Sequence, residues 1–162
     1  MKKLKIGHGF DVHTFAEDRA LILGGIKIPF DKGLEGHSDA DVLVHAIMDA
    51  LLGAFGLPDI GQQFPPSDEK YKGADSLKLL AQVLEMVKAA GCAGINNIDT
   101  IIMAQQPKLN PYIPAMKDKI AGVLGIEPSR ISIKATTTEG MGFVGRGEGI
   151  AASAICLVST NG

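Results

Sequence analysis

The chain has 162 residues, of which 46% are hydrophobic and 21% are charged, and its formal net charge at pH 7 is −2. This length suits one domain with a substantial core, and this composition excludes a disordered chain. The nearly balanced charge gives no electrostatic reason to bind a nucleic-acid backbone. We therefore expect a single domain over residues 1–162 that does not bind nucleic acid.

The first half of the chain predicts two strands and a helix. The runs Leu4–His13 and Ala20–Pro29 are typical of strands and could pair as a hairpin, with Gly24-Gly25 suited to a bulge or a turn. Ser38–Phe55 has the apolar stripe of an amphipathic helix, with Ser38 as its cap. The polar segment from Pro58 to Gly73 is long for a connection and is typical of a lid.

The second half alternates helices with apolar strands. Asp75 or Ser76 can cap a second helix that Gly91 closes. The remaining predicted elements, in chain order, are a strand over Asn97–Ala104, a helix over Tyr112–Gly125, a strand over Ile131–Thr137 and a strand over Ile150–Val158. This order predicts an α+β sandwich, in which a mainly four-stranded sheet carries its helices on one face.

Two features bear on where the protein works. The longest apolar run, Ile150–Val158, is too short to span a bilayer. The residues after Met1-Lys2-Lys3 do not form the apolar stretch of seven or more residues that a signal peptide requires. Cys92 and Cys156 form no Cys-x-x-Cys motif. We expect a cytoplasmic protein with reduced thiols and no membrane partner.

Three side chains in the first 45 residues form a candidate zinc site. Asp11 and His13 lie two positions apart in an extended segment, so both can point to one face of a strand. His45 lies off the apolar stripe of its helix, where Asp41 or Asp49, one turn away on either side, could accept a proton from its second ring nitrogen. Three protein ligands leave a fourth tetrahedral position open, as in catalytic zinc sites. The alternative is that these are ordinary hydrogen-bonded polar residues.

Phosphate-binding chemistry is suggested by two further segments. His37, together with the start of the helix that follows it, could meet a phosphate, although capping alone explains Ser38. Lys134–Gly140 ends a strand in hydroxyls, a carboxylate and a glycine, which suit phosphate oxygens and a second divalent cation. The same residues are equally typical of a strand end followed by a capping turn.

A glycine-rich segment and an amide-rich loop complete the candidates. Gly140–Gly149 holds five glycines but matches neither the dinucleotide fingerprint nor the P-loop. Within it, Arg146 could bind a phosphate or pair with Glu148 of a neighbouring copy. Ala104–Lys108 could contact a base through its backbone, or it is only an exposed strand-to-helix connection.

Five ordered motifs together resemble the 2-C-methyl-D-erythritol 2,4-cyclodiphosphate synthase family. They are Gly7–His13, Gly36–Asp41, Asp59–Gly61, Lys72–Ser76 and Gly142–Gly149. The resemblance covers nearly the whole chain. It implies a homotrimer with active sites between subunits, and a lyase that cyclises 4-diphosphocytidyl-2-C-methyl-D-erythritol 2-phosphate and releases CMP.

The resemblance also implies roles for particular residues. Zn²⁺, one per subunit, would be bound by Asp11, His13 and His45, and Glu139 would help to hold Mg²⁺ or Mn²⁺ on the substrate diphosphate. His37 and Thr137 match the catalytic residues that stabilise the transition state. Substrate contacts are further implied for Ser38, Asp59, Gly61, Phe64, Asp68, Ala104, Gln105, Gln106, Pro107, Lys108, Thr136, Thr138, Phe143 and Arg146, with Asp11, His13, His37, Thr137 and Glu139 also in this set.

One departure from the family pattern lies in the predicted lid. The family usually has Phe-Pro-Asp-Thr-Asp-Pro where this chain has Phe64-Pro65-Pro66-Ser67-Asp68-Glu69. Proline supplies neither a carboxylate nor a backbone N–H, so a contact made by the first aspartate has no counterpart here. Two other functions stay open from the residues: a zinc phosphohydrolase, and a zinc-stabilised module that binds a cytidine nucleotide without turnover.

Overall fold

The computed structural model describes residues 3–161. Its elements, in chain order, are β1 (Leu4–Ala16), β2 (Leu21–Leu23), β3 (Ile26–Ile28), β4 (Gly33–Leu34), α1 (Val42–Ala54), α2 (Ile60–Gln63), α3 (Ser76–Ala89), β5 (Cys92–Met103), α4 (Ile113–Leu124), β6 (Ile131–Thr136), α5 (Gly142–Gly145) and β7 (Gly149–Thr160). Single 3₁₀ turns lie at Glu69–Tyr71, Asn110–Tyr112 and Pro128–Arg130. The α+β class is therefore confirmed.

The main sheet has five strands in the order β4-β1-β7-β5-β6. β5 and β6 are parallel, and the other neighbours are antiparallel. The predicted four-strand count was too low, because Gly33–Leu34 adds a two-residue strand beside β1. The remaining two strands, β2 and β3, form a separate two-stranded sheet.

The predicted hairpin between the first two extended runs is wrong. β1 pairs with β7 along its length, from Leu4 opposite Ser159 to Thr14 opposite Gly149. The second run folds back on itself as β2 and β3, because Gly24 and Gly25 have φ values of +57° and +73° and make a turn. β2 and β3 thus form their ladder hydrogen bonds with each other and not with β1.

The helices cover one face of the sheet, as predicted. α1 lies directly on β1 and β7, so closely that a Cβ atom at Gly7 or Gly9 would overlap the backbone carbonyls of Ala50 or Ala46. The Cys156 thiol also lies against this helix, 3.3 Å from the carbonyl oxygen of Ala50. The opposite face of β1, β5 and β7 is unusually apolar and exposed; its members include Leu4, Ile6, Phe10, Val12, Ile101 and Ile155.

Helix ends differ in detail from the sequence prediction. α1 begins at Val42 rather than Ser38, because its cap is Asp41, whose carboxylate accepts the N–H of Val44 at 3.1 Å. Asp75 caps α3, and Gly125, with φ of +65°, ends α4 as predicted. Within residues 3–161, no helix combines the length and the apolar character needed to cross a membrane.

The glycine contact under α1 gives a direct test of this packing. Replacing Gly7 with alanine should lower the free energy of unfolding by about 1–3 kcal/mol or more, because the new methyl group meets the backbone of Ala50. Gly122 in α4 is the matched control, since it is exposed and a Cβ atom added there would meet nothing within 4 Å. Gly122→Ala should raise stability by about 0.5–1 kcal/mol in urea denaturation followed by circular dichroism.

Candidate metal centre

Three ligand atoms converge at one point on the helix-covered face of the sheet. Asp11 Oδ2 lies 2.8 Å from His13 Nε2 and 3.0 Å from His45 Nδ1, and the two nitrogens are 3.1 Å apart. A tetrahedral zinc site with bonds of about 2.0–2.1 Å separates its ligand atoms by about 3.3–3.4 Å. The triangle therefore has nearly the dimensions of one face of a zinc tetrahedron.

The elements that position these ligands follow the predicted alternation. Asp11 and His13 lie on the same face of β1 as Gly7 and Gly9, towards α1. His45 lies on α1, one residue before Ala46, whose carbonyl contacts Gly9. Close packing of helix on strand thus brings His45 to the two strand ligands, and the predicted group is confirmed as a possible metal site.

The hydrogen bonds of His13 fix which of its nitrogens can bind a metal. Its Nδ1 lies 2.6 Å from the carbonyl oxygen of Glu35, which can only accept, so this nitrogen carries the proton. Nε2 is left with its lone pair directed at the carboxylate of Asp11. Two imidazole nitrogens and a carboxylate oxygen this close together need either a shared proton or a cation between them, and a metal ion meets this need for all three atoms at once.

The charges of the cluster agree with this chemistry. Burial raises the pKa of Asp11, but hydrogen bonds and charge from His13 and His45 outweigh it and hold the pKa well below its usual range. Burial lowers the pKa of His13, and the hydrogen bond and charge of Asp11 more than reverse this. The site attracts a positive charge, which a divalent ion would supply.

The expected partners of the second nitrogen of His45 are wrong. Its Nε2 lies 3.0 Å from Ser76 Oγ and 3.1 Å from Ser38 Oγ, not beside Asp41 or Asp49. Those two carboxylates accept backbone N–H groups elsewhere, because each caps or supports the start of a local element. Spacing along one helix could not show that serines from two other segments would fill this position.

A cavity opens from the ligand cluster toward the predicted lid. Four further predicted residues line it, namely His37, Ser38, Gly61 and Phe64. Pro66 lines it as well, so the departure from the family pattern lies at the site itself. The predicted lid is partly helical, since it contains α2 and the turn Glu69–Tyr71.

Two residues of this region were missed by the sequence analysis. The ring of Tyr71 lies in the cavity wall, 5.3 Å from that of Phe64 in an edge-to-face contact. Arg19 donates to the carbonyls of Gly36 and Ser38, both at 2.8 Å, and so holds the loop that carries His37. Neither contact has a sequence signal, because Tyr71 follows Phe64 by seven residues across a segment without periodicity and Arg19 lies 17 and 19 residues from its two acceptors.

Asp59 and Asp68 lie beside this cavity and not in its wall. Asp59 caps α2 through the N–H of Gln62 and faces a neighbouring cavity. The Asp68 carboxylate pairs with Lys70 at 3.0 Å, and this contact lowers the pKa of Asp68. Only the backbone carbonyl of Asp68 reaches the site, where it accepts from His37 Nε2 at 3.2 Å.

The remaining predicted residues occupy different surfaces of the chain. Ala104, Gln105, Pro107, Lys108, Thr136 and Thr137 line a second cavity, and Gln106 and Arg146 line a third. Thr138 and Glu139 form an exposed turn beyond β6, where Glu139 has φ of +55°, and Phe143 is exposed on α5. Arg146 pairs with Glu148 of its own chain at 2.8 Å. The structure of one chain thus leaves Glu139 outside the described metal cluster.

Comparisons with known proteins agree over the whole chain. Residues 4–159 match the YgbB family. The chain belongs to this family. A relative from Pelotomaculum thermopropionicum, named 2-C-methyl-D-erythritol 2,4-cyclodiphosphate synthase, is 57% identical over 159 residues, which are 98% of each chain. The resemblance seen in the motifs is therefore confirmed.

Two solved structures show the same fold. The bifunctional IspDF of Campylobacter jejuni matches with a TM-score of 0.95 and 45% identity over 99% of this chain, which spans only 43% of that longer chain. A complex of IspF from Plasmodium falciparum with CDP matches with a TM-score of 0.85 and 32% identity, over 98% of this chain and 97% of that one.

The cap of α1 generates a prediction on pH. Burial raises the pKa of Asp41 to about 6, against hydrogen bonds from Gly25, Gly24 and Val44 and with the added repulsion of Asp39. Between the ordinary pKa of 3.8 and about 6 the folded state holds more protons than the unfolded state, so this group's contribution to stability falls as pH rises through that window.

The Asp41→Asn variant isolates this contribution. The free energy of unfolding of the native protein minus that of the variant should fall by on the order of 2 kcal/mol between pH 4 and pH 6 and become level about one pH unit above the folded pKa. Urea denaturation at a series of pH values measures it. A difference that is flat across the window would show that the three N–H donors keep Asp41 ionised throughout.

Proposed function

We propose that this chain is a metal-dependent cyclase of the 2-C-methyl-D-erythritol 2,4-cyclodiphosphate synthase type. It converts 4-diphosphocytidyl-2-C-methyl-D-erythritol 2-phosphate to the cyclic diphosphate and CMP, in the non-mevalonate route to isoprenoids. The observation that carries this proposal is the convergence of Asp11, His13 and His45 at a cavity. High identity to synthases over 98% of the chain supports it.

In this proposal the metal at the cluster is Zn²⁺. Two imidazole nitrogens and one carboxylate oxygen, in a triangle of zinc dimensions, suit this ion and leave one position for a substrate phosphate. When bound, the ion polarises that phosphate and offsets its charge. Glu139 holds Mg²⁺ or Mn²⁺ on the diphosphate, a role that rests on the family motif.

The cytidine part of the substrate binds in the second cavity. Its walls are Ala104–Lys108 and Thr136–Thr137, two loops joined by a hydrogen bond from the N–H of Ala104 to the carbonyl of Thr136 at 3.0 Å. The solved complex of a relative with CDP supports a cytidine nucleotide as the ligand class. Backbone and hydroxyl groups there can contact a base and a phosphate.

The chain works as a homotrimer whose active sites lie between subunits. Two observations support this proposal. The cavity beside the metal ligands and the cavity beside Ala104–Lys108 have different wall residues. The face of the sheet that no helix covers exposes large apolar side chains such as Ile6, Phe10 and Ile155. Association through that face would bury it and set one chain's metal cluster beside its neighbour's cytidine loops. A single domain over residues 1–162 and a cytoplasmic location stay predictions.

The reaction needs no protein nucleophile. An oxygen of the substrate's 2-phosphate attacks the β-phosphorus, the bond from that phosphorus to the bridging oxygen breaks, and the electron pair leaves with CMP. The chain's own residues hold the two ends of one molecule in line, which makes the attack intramolecular. His37 and Thr137 stabilise charge on the phosphoryl oxygens as it develops.

Product analysis tests the proposed reaction against its alternatives. Phosphorus NMR of the protein with substrate, Zn²⁺ and Mg²⁺ should show CMP and a cyclic diphosphate appearing together. His45→Ala should lower this rate by about 100-fold or more, because it removes a metal ligand. Removal of the metal with a chelator should stop the reaction. Added Zn²⁺ should restore it in the native protein but not in His45→Ala.

Other product patterns would contradict the cyclase. Inorganic phosphate without a cyclic product would establish the zinc phosphohydrolase. Tight cytidine-nucleotide binding with an unchanged substrate spectrum would establish the binding module, or would show that Pro66 has cost the site its activity. The Pro66→Asp variant separates these last two, because putting back the family's aspartate should restore turnover only if a lost lid contact is the cause.

Mixed assemblies test whether sites lie between subunits. His45→Ala and Glu139→Ala chains should each be inactive alone, and co-expression should recover roughly a quarter of native activity, because that share of sites then combines two unaltered surfaces. The control pair is His45→Ala with His13→Ala, whose defects lie on the same surface and should not complement. Recovery in neither mixture would place the whole site on one chain.

A further inference from the structure

Whether the Nδ1 atom of His45 has a free lone pair for the metal depends on what the other ring nitrogen, Nε2, contacts. Nε2 lies between two hydroxyls, Ser76 Oγ at 3.0 Å and Ser38 Oγ at 3.1 Å. Ser76 is fully buried and His45 is 7% exposed, so water does not compete freely for this contact. Ser76 ends Lys72–Ser76, one of the motifs that carry the family resemblance.

A carboxylate behind Ser76 decides the direction of this hydrogen bond. Asp39 accepts the hydroxyl of Ser76 on Oδ1 and its backbone N–H on Oδ2, the latter at 3.0 Å. The short contact on Oδ1 commits the hydroxyl proton to Asp39, because an ionised carboxylate is a pure acceptor. The oxygen of Ser76 can then only accept a proton from His45 Nε2.

Ser38 does not impose a direction of its own. Its oxygen accepts the backbone N–H of Ala40 at 3.2 Å, and no carboxylate is among the partners that the structure gives it. Its hydroxyl can therefore adapt to either proton position on the imidazole ring of His45. The contact with Ser76 therefore determines which nitrogen of His45 carries the proton.

We propose that Asp39 and Ser76 are positioning residues that hold His45 in its Nε2–H form and so direct the Nδ1 lone pair to the metal. A neutral imidazole binds a metal through the nitrogen that lacks the proton, and the other tautomer would turn an N–H group toward Asp11 and His13. This inference rests on the proposed metal occupancy of the cluster.

Zinc affinity is the first measurement. Competition with a chromophoric chelator should give Ser76→Ala a zinc affinity about 10–100-fold below that of the native protein, and Asp39→Asn should move in the same direction. Ser153→Ala is the matched control, because Ser153 Oγ lies 3.0 Å from Nε2 of the exposed His8, outside the cluster. This control should leave zinc affinity unchanged.

The tautomer itself is the readout that a merely structural role would not move. The chain has only four histidines, so long-range proton–nitrogen correlation on histidine-labelled, metal-free protein can resolve them. In its neutral form, His45 should be Nε2–H in the native protein and a mixture of both tautomers in Ser76→Ala.

The outcomes separate this inference from the proposed function. Zinc binding by the native protein, with variants of unchanged affinity and an unchanged tautomer, would overturn the role of Asp39 and Ser76 and leave the metal site standing. A native protein that binds no zinc would overturn the metal site and the inference together. If Ser76→Ala does not fold, Asp39→Asn decides, since it keeps the serine and alters only the acceptor.

Discussion

The contact of α1 with the glycine face of β1 is the constraint on which the metal centre depends. Gly7 and Gly9 let the helix backbone approach the strand to a distance that any side chain would prevent. Asp11 and His13 continue the same face of the strand, and His45 lies on the turn of helix above them. The separation of the three ligand atoms is therefore a result of backbone packing, and small changes in it would alter a site that needs ligands near 2 Å from the ion.

Around this contact, polar groups of the loop before α1 form hydrogen bonds with groups from several other segments of the chain. Asp41 accepts three backbone N–H groups while fully buried, Asp39 accepts from Ser76, and Arg19 donates to the carbonyls of the loop. Buried charges are tolerated when such bonds replace water. The same network positions His37 and the second nitrogen of His45, so it serves both the fold and the site.

A single chain presents its candidate chemistry on separate surfaces. The metal ligands share a cavity with Phe64 and Tyr71, whereas the loops after β5 and β6 line another. The proposed cyclisation breaks the diphosphate of a cytidine nucleotide at its β-phosphorus, so it requires both kinds of surface at one substrate. An uncovered apolar sheet face offers a means of bringing two chains together, and this is why assembly and catalysis are linked in the proposed function.

Local patterns determined much of this protein. Periodicity predicted the helices, and the two-residue spacing of Asp11 and His13 predicted a shared face, because both depend on neighbours along the chain. Tertiary structure alone decided that β1 pairs with β7 and not with the run after it, that Asp41 rather than Ser38 caps α1, and that Ser76 meets His45. For each residue in these contacts, the chain offers many other possible partners of similar chemistry. Only the packing of the whole chain selects among them, because sequence spacing carries no information on distances between remote segments.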